Sequence, residues 1–235
     1  MIRDLPCELV QEVVELASVD STNTYSLSMG RPGLLVLARE QTSGRGRKSR
    51  GWYSPPGSNI YMTLTVGKPD QRYPVLAGVA LQEALSALIQ GHRVEIKWPN
   101  DLIVHGRKIC GILCESRQVI TAIGIGINVN QLTWPDDIRK RACSLREVSG
   151  AELDLHMVVS RVLRSLDTWF SLFRTQGFAR VREAFLTHGR LRDYLLTTEE
   201  GSPCTVEGLT MEGHLVIEEE GRQKTLVSES ISISS

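Results

Sequence analysis

A basic, glycine-rich loop is the segment of this chain best suited to bind an anion. The stretch "SGRGRKSRGW" (43–52) holds four basic side chains, three glycines and a tryptophan. Glycine lets the backbone come close to a ligand, and the planar guanidinium group of arginine engages two oxygens of a carboxylate or phosphate at once. A solvated basic loop or a nucleic-acid contact patch is the alternative interpretation, and Trp52 is equally compatible with a core anchor.

A second group of polar residues lies in "EIKWPNDLIVHGRKICGILCE" (95–115), where a proline interrupts an apolar strand pattern. Pro99 ends the strand, and Asn100 and Asp101 then supply an amide and a carboxylate. Lys97 and Lys108 bracket the strand–turn–strand unit that surrounds them. A single lysine is usually a surface residue, but this arrangement predicts a polar cluster at the end of a strand.

A third motif, "GIGINVN" (124–130), places two glycines inside a strand pattern and an asparagine just after it. Glycine within a strand indicates either a bulge or a place where something packs directly on the backbone. The motif is not a dinucleotide-binding fingerprint, because the spacing differs and no helix follows. A flat ligand lying on the sheet is one interpretation, and a crowded core strand is the other.

The elements that must position these residues follow from hydrophobic periodicity and turn residues. Period-two or short apolar runs predict strands at 13–19, 33–40, 59–66, 94–98, 101–105, 108–115 and 119–129. Helical periodicity with capping residues predicts helices at 21–30, 74–89, 155–174 and 177–188. Within 59–66, apolar and polar residues alternate, which predicts one wetter sheet face.

The order of these elements predicts an α+β fold, with a mixed or antiparallel sheet and packed helices. From about residue 189 the chain shows only short alternating strands with frequent glycine and serine. This pattern predicts a small β-barrel of about fifty residues. We therefore place a catalytic domain at 1–188 and a second domain at 189–235.

Composition excludes several classes of protein. Lys and Arg together number 27, as do Asp and Glu, so the chain lacks the basic excess of proteins that coat DNA or anionic membranes. We expect no membrane span and no export signal. Five irregularly spaced cysteines suit free thiols in a reducing cytoplasm. Cys110 and Cys114 lack histidine partners at ligand spacing, so we predict no metal site.

Taken together, the motifs resemble those of the biotin–protein ligase family. The matching segments run in order from "DSTN" (20–23) through "EQTSGRGRKSRGW" (40–52), "KWPNDL" (97–102) and "GRKICGILCE" (106–115) to "GIGINVN" (124–130). The combination of "GRGRxxRxW" with "KWPND" is the specific part. The resemblance implies a catalytic domain like that of class II synthetases and a C-terminal SH3-like domain.

The resemblance also implies an activity. Enzymes of this family react biotin with ATP, which forms biotinyl-5′-AMP and releases pyrophosphate. They then pass biotin to one lysine of a biotin carboxyl carrier domain. Mg²⁺ would accompany ATP, held largely by phosphate oxygens. We expect a cytoplasmic enzyme whose partner is a biotin-dependent carboxylase, with the choice between monomer and homodimer left open.

The family's functional residues carry over onto matching positions of this sequence. The resemblance assigns catalysis to Lys108, Arg47 and Arg45, with Lys108 between the biotin carboxylate and the α-phosphate. It assigns biotin binding to Ser21, Thr22, Asn23, Gln41, Gly44, Arg45, Arg47, Lys108 and Gly111. It assigns ATP binding to Arg47, Arg50, Trp52, Lys97, Asn100, Asp101, Lys108, Gly124, Gly126 and Asn128.

Two departures and two rivals accompany this interpretation. Ser49 stands where some relatives have glycine, which should stiffen the loop slightly. About a dozen residues precede the first strand, so we expect no helix–turn–helix domain and no DNA-binding repressor. A lipoate or octanoate ligase of the same superfamily would share the hairpin lysine but lack "GRGRxxRxW". A non-enzymatic nucleic-acid binder would require a broader basic surface.

Overall fold

A seven-stranded mixed sheet forms the centre of the larger part of the molecule. The computed structural model describes residues 7–189, 191, 194–227, 229 and 231–233. The strands are β1 (Glu12–Leu16), β2 (Leu34–Ala38), β3 (Ile60–Gly67), β4 (Glu95–Lys97), β5 (Asp101–Val104), β6 (Arg107–Arg117) and β7 (Ile120–Ile127). They lie in the order β1-β2-β3-β7-β6-β5-β4, with β1 and β2 parallel and the other pairs antiparallel. The seven predicted strands and the mixed α+β class are confirmed.

The helices are α1 (Thr22–Met29), α2 (Tyr73–Ser86), α3 (Leu145–Ser149), α4 (Leu155–Gln176) and α5 (Phe178–Ala184). The helix α2 packs on one face of the sheet, whereas α1 lies on the opposite face, where Asn23 packs on Gly124 and Thr22 contacts Thr63. At Gly78 the backbone of α2 comes close to the sheet, where a Cβ atom would be in ordinary contact with Ile96 (3.4 Å) and Ile112 (3.9 Å). A second layer follows, because Trp169 of α4 donates a hydrogen bond to Glu83 of α2 (3.0 Å).

Three of the predicted helices match closely, and one ends differently. Gly30 terminates α1 in the left-handed conformation, as the sequence predicts. The helix predicted at 177–188 divides into α5 and a π-helical turn over Phe185–Gly189. The short helix α3 was not predicted, although Ser144 and Glu147 form a capping box at its start.

The prediction of a wetter face on β3 is wrong. Every residue of the strand before Gly67 is buried. The polar residues lie beneath α1 and the connection from α1 to β2, where the Thr63 hydroxyl lies 2.8 Å from that of Thr22 and the Thr65 hydroxyl donates to the Arg31 carbonyl (2.8 Å). A buried polar network therefore replaces solvent on this face, because buried polar groups require partners.

The C-terminal part is a separate antiparallel sheet, which agrees with the short strands predicted there, while its closure into a barrel stays a prediction. Its strands are β8 (Leu196–Thr197), β9 (Pro203–Leu209), β10 (Leu215–Glu219), β11 (Arg222–Leu226) and β12 (Ser232–Ile233), in the order β11-β10-β9-β8-β12. The β9–β10 turn docks on the larger part, since Trp98 donates from its indole N–H to the Gly213 carbonyl (3.0 Å). The predicted boundary at 188/189 falls next to positions outside the described residues.

The described helices include none that combines the length and apolar character needed to cross a membrane. All five cysteines are free thiols, and four of them are buried. Burial raises the pKa of Cys143, one of the buried thiols, to about 12. The thiols are therefore packing residues at neutral pH.

Candidate active site

A pocket lies on the sheet face opposite α2 and α4. It opens between the start of α1, the basic loop and the central strands β6 and β7. Its lining residues are Ser21, Thr22, Asn23, Gln41, Arg45, Gly46, Trp52, Asn100, Lys108, Gly111, Ile112, Leu113, Gly124, Ile125 and Gly126. The structure thus brings together residues from all three sequence motifs, which are spread over residues 43–130 of the chain.

Three glycines form the floor of the pocket. Gly111 and Gly126 are cross-strand neighbours, and a Cβ atom would lie 2.8 Å and 2.5 Å from the Trp52 ring at these two positions. At Gly124, a Cβ atom would lie 2.2 Å from Oδ1 of Asn23. The glycines are therefore required by side chains that pack directly on the strand backbone.

Trp52 lies flat against this floor. Its indole N–H is buried and has no hydrogen-bond partner among the described residues. A buried donor without a partner costs about 1–3 kcal/mol. The indole therefore lies on the floor with its N–H group lacking a hydrogen bond. A ligand placed directly on the glycines would displace it.

Lys108 reaches the same floor because of a β-bulge. In the pairing of β5 with β6, Leu102 lies opposite Cys110 and Ile103 lies opposite Lys108, so Ile109 is an additional residue. Positions 108 and 111 would point to opposite faces of a regular strand. The bulge turns Lys108 to the glycine face, where a Cβ atom on Gly111 would be 3.0 Å from its Cε.

The Lys108 ammonium has two partners in the pocket. Its Nζ lies 2.7 Å from Oδ1 of Asp101 and 5.0 Å from the centre of the Trp52 ring. A cation at this distance from an indole face is attracted by the ring quadrupole. The Asp101 carboxylate and the Trp52 ring thus hold the ammonium at the edge of the floor.

Further positive charge surrounds Asp101. Burial lowers the pKa of Lys97, an effect that the Asp101 carboxylate opposes and the charges of Lys108, Arg50 and Arg141 reinforce. Several cations therefore lie close to the Asp101 carboxylate. Such an excess of positive charge suits a ligand with several anionic groups, such as a polyphosphate.

Arg47 extends the basic loop toward the same region. Its Nη1 lies 3.5 Å from Oδ1 of Asn100, and Asn100 in turn donates to the Ile112 carbonyl (2.9 Å). Burial lowers the pKa of Arg47, while the carboxylates of Asp101 and Glu199 oppose the shift. Arg47 of the basic loop therefore meets Asn100, the residue directly before β5, at the site.

The opposite end of the pocket is a chain of neutral polar groups. The backbone N–H and the hydroxyl of Thr22 both donate to Oε1 of Gln41 (3.0 and 3.1 Å). The amide of Gln41 donates to the Ser54 hydroxyl (3.1 Å). Gly44 must lack a side chain because its Cβ would lie 2.7 Å from Ser54 Oγ. Paired donors and acceptors of this kind suit a neutral polar ring.

Glu115 ties the first helix and the basic loop to the sheet. It accepts from the amide of Asn23 (2.8 Å) and pairs with Arg45 (3.4 Å), which also donates to the Thr24 hydroxyl (3.1 Å). The sequence interpretation missed both Glu115 and Ser54. The family motif quoted above ends at Glu115, so a signal for it was present, whereas Ser54 follows the loop without any pattern.

Several predicted residues lie beside the pocket instead of lining it. Arg50 is exposed, Lys97 and Asp101 are partly buried behind Lys108, and Gly44 lies under Gln41 and Ser54. Asn128 is 4% exposed and donates from its amide to the carbonyls of Lys108 (3.2 Å) and Cys143 (3.1 Å). Its amide nitrogen therefore faces the backbone of β6 at Lys108.

Comparison with known proteins agrees with this geometry. Residues 15–131 match the model of the biotin/lipoate A/B protein ligase family. The biotin–[acetyl-CoA-carboxylase] ligase of Paracoccus denitrificans is 34% identical over 222 residues, which cover 86% of this chain and 88% of that protein. The chain therefore belongs to the biotin/lipoate A/B protein ligase family. Within that family its relatives are the biotin–protein ligases.

Two further similarities define this grouping. The structure of biotin protein ligase from Aquifex aeolicus in complex with biotin and ATP superimposes with a TM-score of 0.86 and 27% identity, covering 95% of this chain and all of that one. The bifunctional ligase/repressor BirA of Bacillus subtilis is 38% identical over 165 residues. That match spans 64% of this chain and about half the length of the BirA protein (50%).

Proposed function

We propose that this protein is an ATP-dependent biotin–protein ligase. In the first step, an oxygen of the biotin carboxylate attacks the α-phosphorus of ATP, and the bond to pyrophosphate breaks. In the second step, a lysine amine of a biotin carboxyl carrier domain attacks the acyl carbon, and AMP leaves. The observation that carries the proposal is the Lys108 ammonium at the edge of the glycine floor, 2.7 Å from Asp101.

The first step requires two anions to approach each other. A carboxylate and a phosphate repel, so positive groups placed where negative charge develops are the main catalytic requirement. Lys108 would lie between the two, with its position fixed by Asp101. Arg45 lines the pocket and Arg47 reaches Asn100, so the basic loop would supply the remaining charge.

The two ends of the pocket would bind the two substrates. We assign the polar chain of Thr22, Gln41 and Ser54 to the cyclic urea of biotin, because it offers paired neutral donors and acceptors. We assign the region around Asn100 and Asp101 to the nucleotide, because its positive charges match phosphates. Mg²⁺ would enter with ATP and be held chiefly by phosphate oxygens.

Similarity to the biotin–protein ligases also supports an assignment of the C-terminal sheet and of the partner. We propose that residues 189–235 form an SH3-like module beside a catalytic domain of residues 1–188. The partner would be the carrier domain of a biotin-dependent carboxylase, and the enzyme would act in the cytoplasm, where ATP and carboxylases occur together. The Paracoccus relative, named as an acetyl-CoA-carboxylase ligase, supports this choice of partner.

A pyrophosphate-exchange assay tests the first step. The purified protein should exchange labelled pyrophosphate into ATP when biotin is present and should show no exchange with lipoate or octanoate. Labelled biotin should then appear on an isolated biotin carboxyl carrier domain. Exchange with lipoate but not biotin would establish the rival ligase, and exchange with neither would exclude the proposed activity.

A further inference from the structure

The backbone of Lys108 is clamped by a segment that follows β7. The Lys108 N–H donates to the Arg141 carbonyl (2.7 Å), and the Lys108 carbonyl accepts from the Cys143 N–H (3.0 Å). The same Lys108 carbonyl accepts a second hydrogen bond from the amide of Asn128 (3.2 Å). The other amide hydrogen of Asn128 reaches the Cys143 carbonyl (3.1 Å). The two amide hydrogens of Asn128 thus connect β6 at Lys108 to the segment 141–143.

The backbone of Asn128 is fixed on both sides as well. Its N–H donates to the Ile109 carbonyl (2.9 Å), and its carbonyl accepts from the Leu145 N–H at the start of α3 (2.9 Å). Ile109 is the additional residue of the bulge. The clamp therefore encloses the one irregularity in β6 that determines which face Lys108 occupies.

The bulge needs such a clamp because a regular pairing competes with it. A one-residue shift of the strand would turn Lys108 away from the glycine floor and toward the face that carries the apolar core. Bulges leave part of the ladder unpaired. The side-chain amide of Asn128 holds the bulged strand in place, since it donates to the Lys108 and Cys143 carbonyls from a nearly fully buried site (4% exposed).

We infer that Asn128 is a positioning residue for the proposed reaction, which it serves by holding the Lys108 ammonium at the glycine floor. The inference rests on the proposed role of Lys108 in adenylate formation. It differs from a nucleotide contact in one respect that can be measured. A residue that positions Lys108 affects biotin binding in the absence of ATP, whereas a contact to the nucleotide alone does not.

The test compares Asn128→Ala with Asn130→Ala in the full chain. Asn130 lies two residues further on and also makes two hydrogen bonds, both to Leu153 (2.8 and 2.9 Å), but none to the lysine strand. We expect Asn128→Ala to slow single-turnover adenylate formation about tenfold or more, by loss of charge placement. It should also weaken nucleotide-free biotin binding measured by calorimetry, while Asn130→Ala changes neither by more than about twofold.

A double variant separates positioning from direct contact. In a Lys108→Ala background, Asn128→Ala should reduce the remaining rate by no more than about twofold, because no ammonium is left to position. An equal loss in both backgrounds would overturn the inference. So would a rise in KM for ATP with unchanged nucleotide-free biotin affinity, or an equal loss in Asn130→Ala.

Asn128→Asp keeps the side-chain volume and serves if the alanine variant does not fold. An ionised carboxylate would face two carbonyls, whereas the protonated form can donate to one of them. The adenylation rate relative to wild type should therefore rise as pH falls from about 8 to about 6. A relative rate that stays constant with pH would overturn the inference. If the wild-type enzyme forms no biotinyl adenylate in the same assay, the proposed function fails instead.

Discussion

At the scale of single residues, the site depends on how one ammonium group is placed. Lys108 lies 2.7 Å from Asp101 and 5.0 Å from the Trp52 ring centre. The other cations of the region approach from the basic loop and from Lys97. A site in which one charge contacts the reacting groups should lose activity sharply when that charge is removed, without losing its fold.

Lys108→Ala should therefore reduce adenylate formation about a hundredfold or more, by analogy with the loss of one charge-stabilising donor. The thermal unfolding midpoint should change little, because the side chain is one third exposed (32%). Pyrophosphate exchange measures the rate. Lys140→Ala is the control, since Lys140 is an exposed lysine outside the pocket. Equal rates for the two variants would remove Lys108 from the mechanism.

Gly126→Ala tests the glycine floor. The added methyl group would lie 2.5 Å from the Trp52 ring, so the indole must move and the ligand surface is raised. We expect adenylate formation to fall about tenfold or more, equivalent to about 1.4 kcal/mol, with about 1–3 kcal/mol of destabilisation from overpacking.

Gly67→Ala provides the matched control for the floor. It also adds a methyl group to a strand of the central sheet, but nothing lies within 4 Å of that position. Activity and unfolding of this variant should remain close to wild type. A similar loss in both variants would mean that the sheet tolerates no additional methyl group, and the floor would then have no special role.

At the scale of elements, the basic loop is a short structured unit. Arg45 and Gly51 form an isolated antiparallel bridge, and a 3-10 turn over Arg47–Ser49 closes the loop between them. Lys48 and Ser49 at its apex have positive φ values of 54° and 56°. Such conformations disfavour residues with a Cβ atom, so the apex depends on contacts made by the loop as a whole.

The loop should be cut by trypsin in the free protein and protected by its ligands. Four basic residues lie between 45 and 50, and Lys48 and Ser49 at the apex are exposed while Arg47 is only partly buried. Local opening exposes such segments to proteases. Biotin with ATP should slow cleavage here, as followed by mass spectrometry of the fragments, while cleavage elsewhere is unaffected. Unchanged cleavage with both ligands would contradict contact between the loop and the bound ligands.

At the scale of the whole molecule, the second sheet contacts the loop as well as the core. Lys48 forms an ion pair with Glu199, which lies in the turn between β8 and β9. Tyr194 accepts a hydrogen bond from the Gly106 N–H at the β5–β6 turn (3.0 Å). Residues of the C-terminal part thus contact both the basic loop and the β5–β6 turn next to Lys108, and loss of the contact to Lys48 should loosen the loop.

Glu199→Gln should speed trypsin cleavage of the loop about two- to fivefold at low ionic strength, because exposed ion pairs contribute about 0.2–1 kcal/mol. The difference should shrink at about 0.5 M salt, where exposed charges are screened. Glu200→Gln is the neighbouring control, since Glu200 pairs with Lys224 (3.6 Å) and not with the loop. Equal cleavage of the two variants would exclude a role for Glu199.

The sequence by itself determined the elements and the chemical character of the site. Seven strands of the central sheet follow from apolar patterns and turn residues, and the end of α1 follows from Gly30. Gly124 and Gly126 indicated either a bulge or close packing on the backbone. These features are readable because they depend on neighbours in the chain, whose spacing fixes which face or turn each residue occupies.

Only the tertiary structure decided how those residues meet. The bulge at Ile109 reverses the face of Lys108, and the clamp on it comes from Asn128 and residues 141–143. Burial of the polar face of β3 and the docking of Trp52 on the floor also required the folded chain. These features depend on contacts between segments that are distant in sequence, and local periodicity carries no information about such contacts.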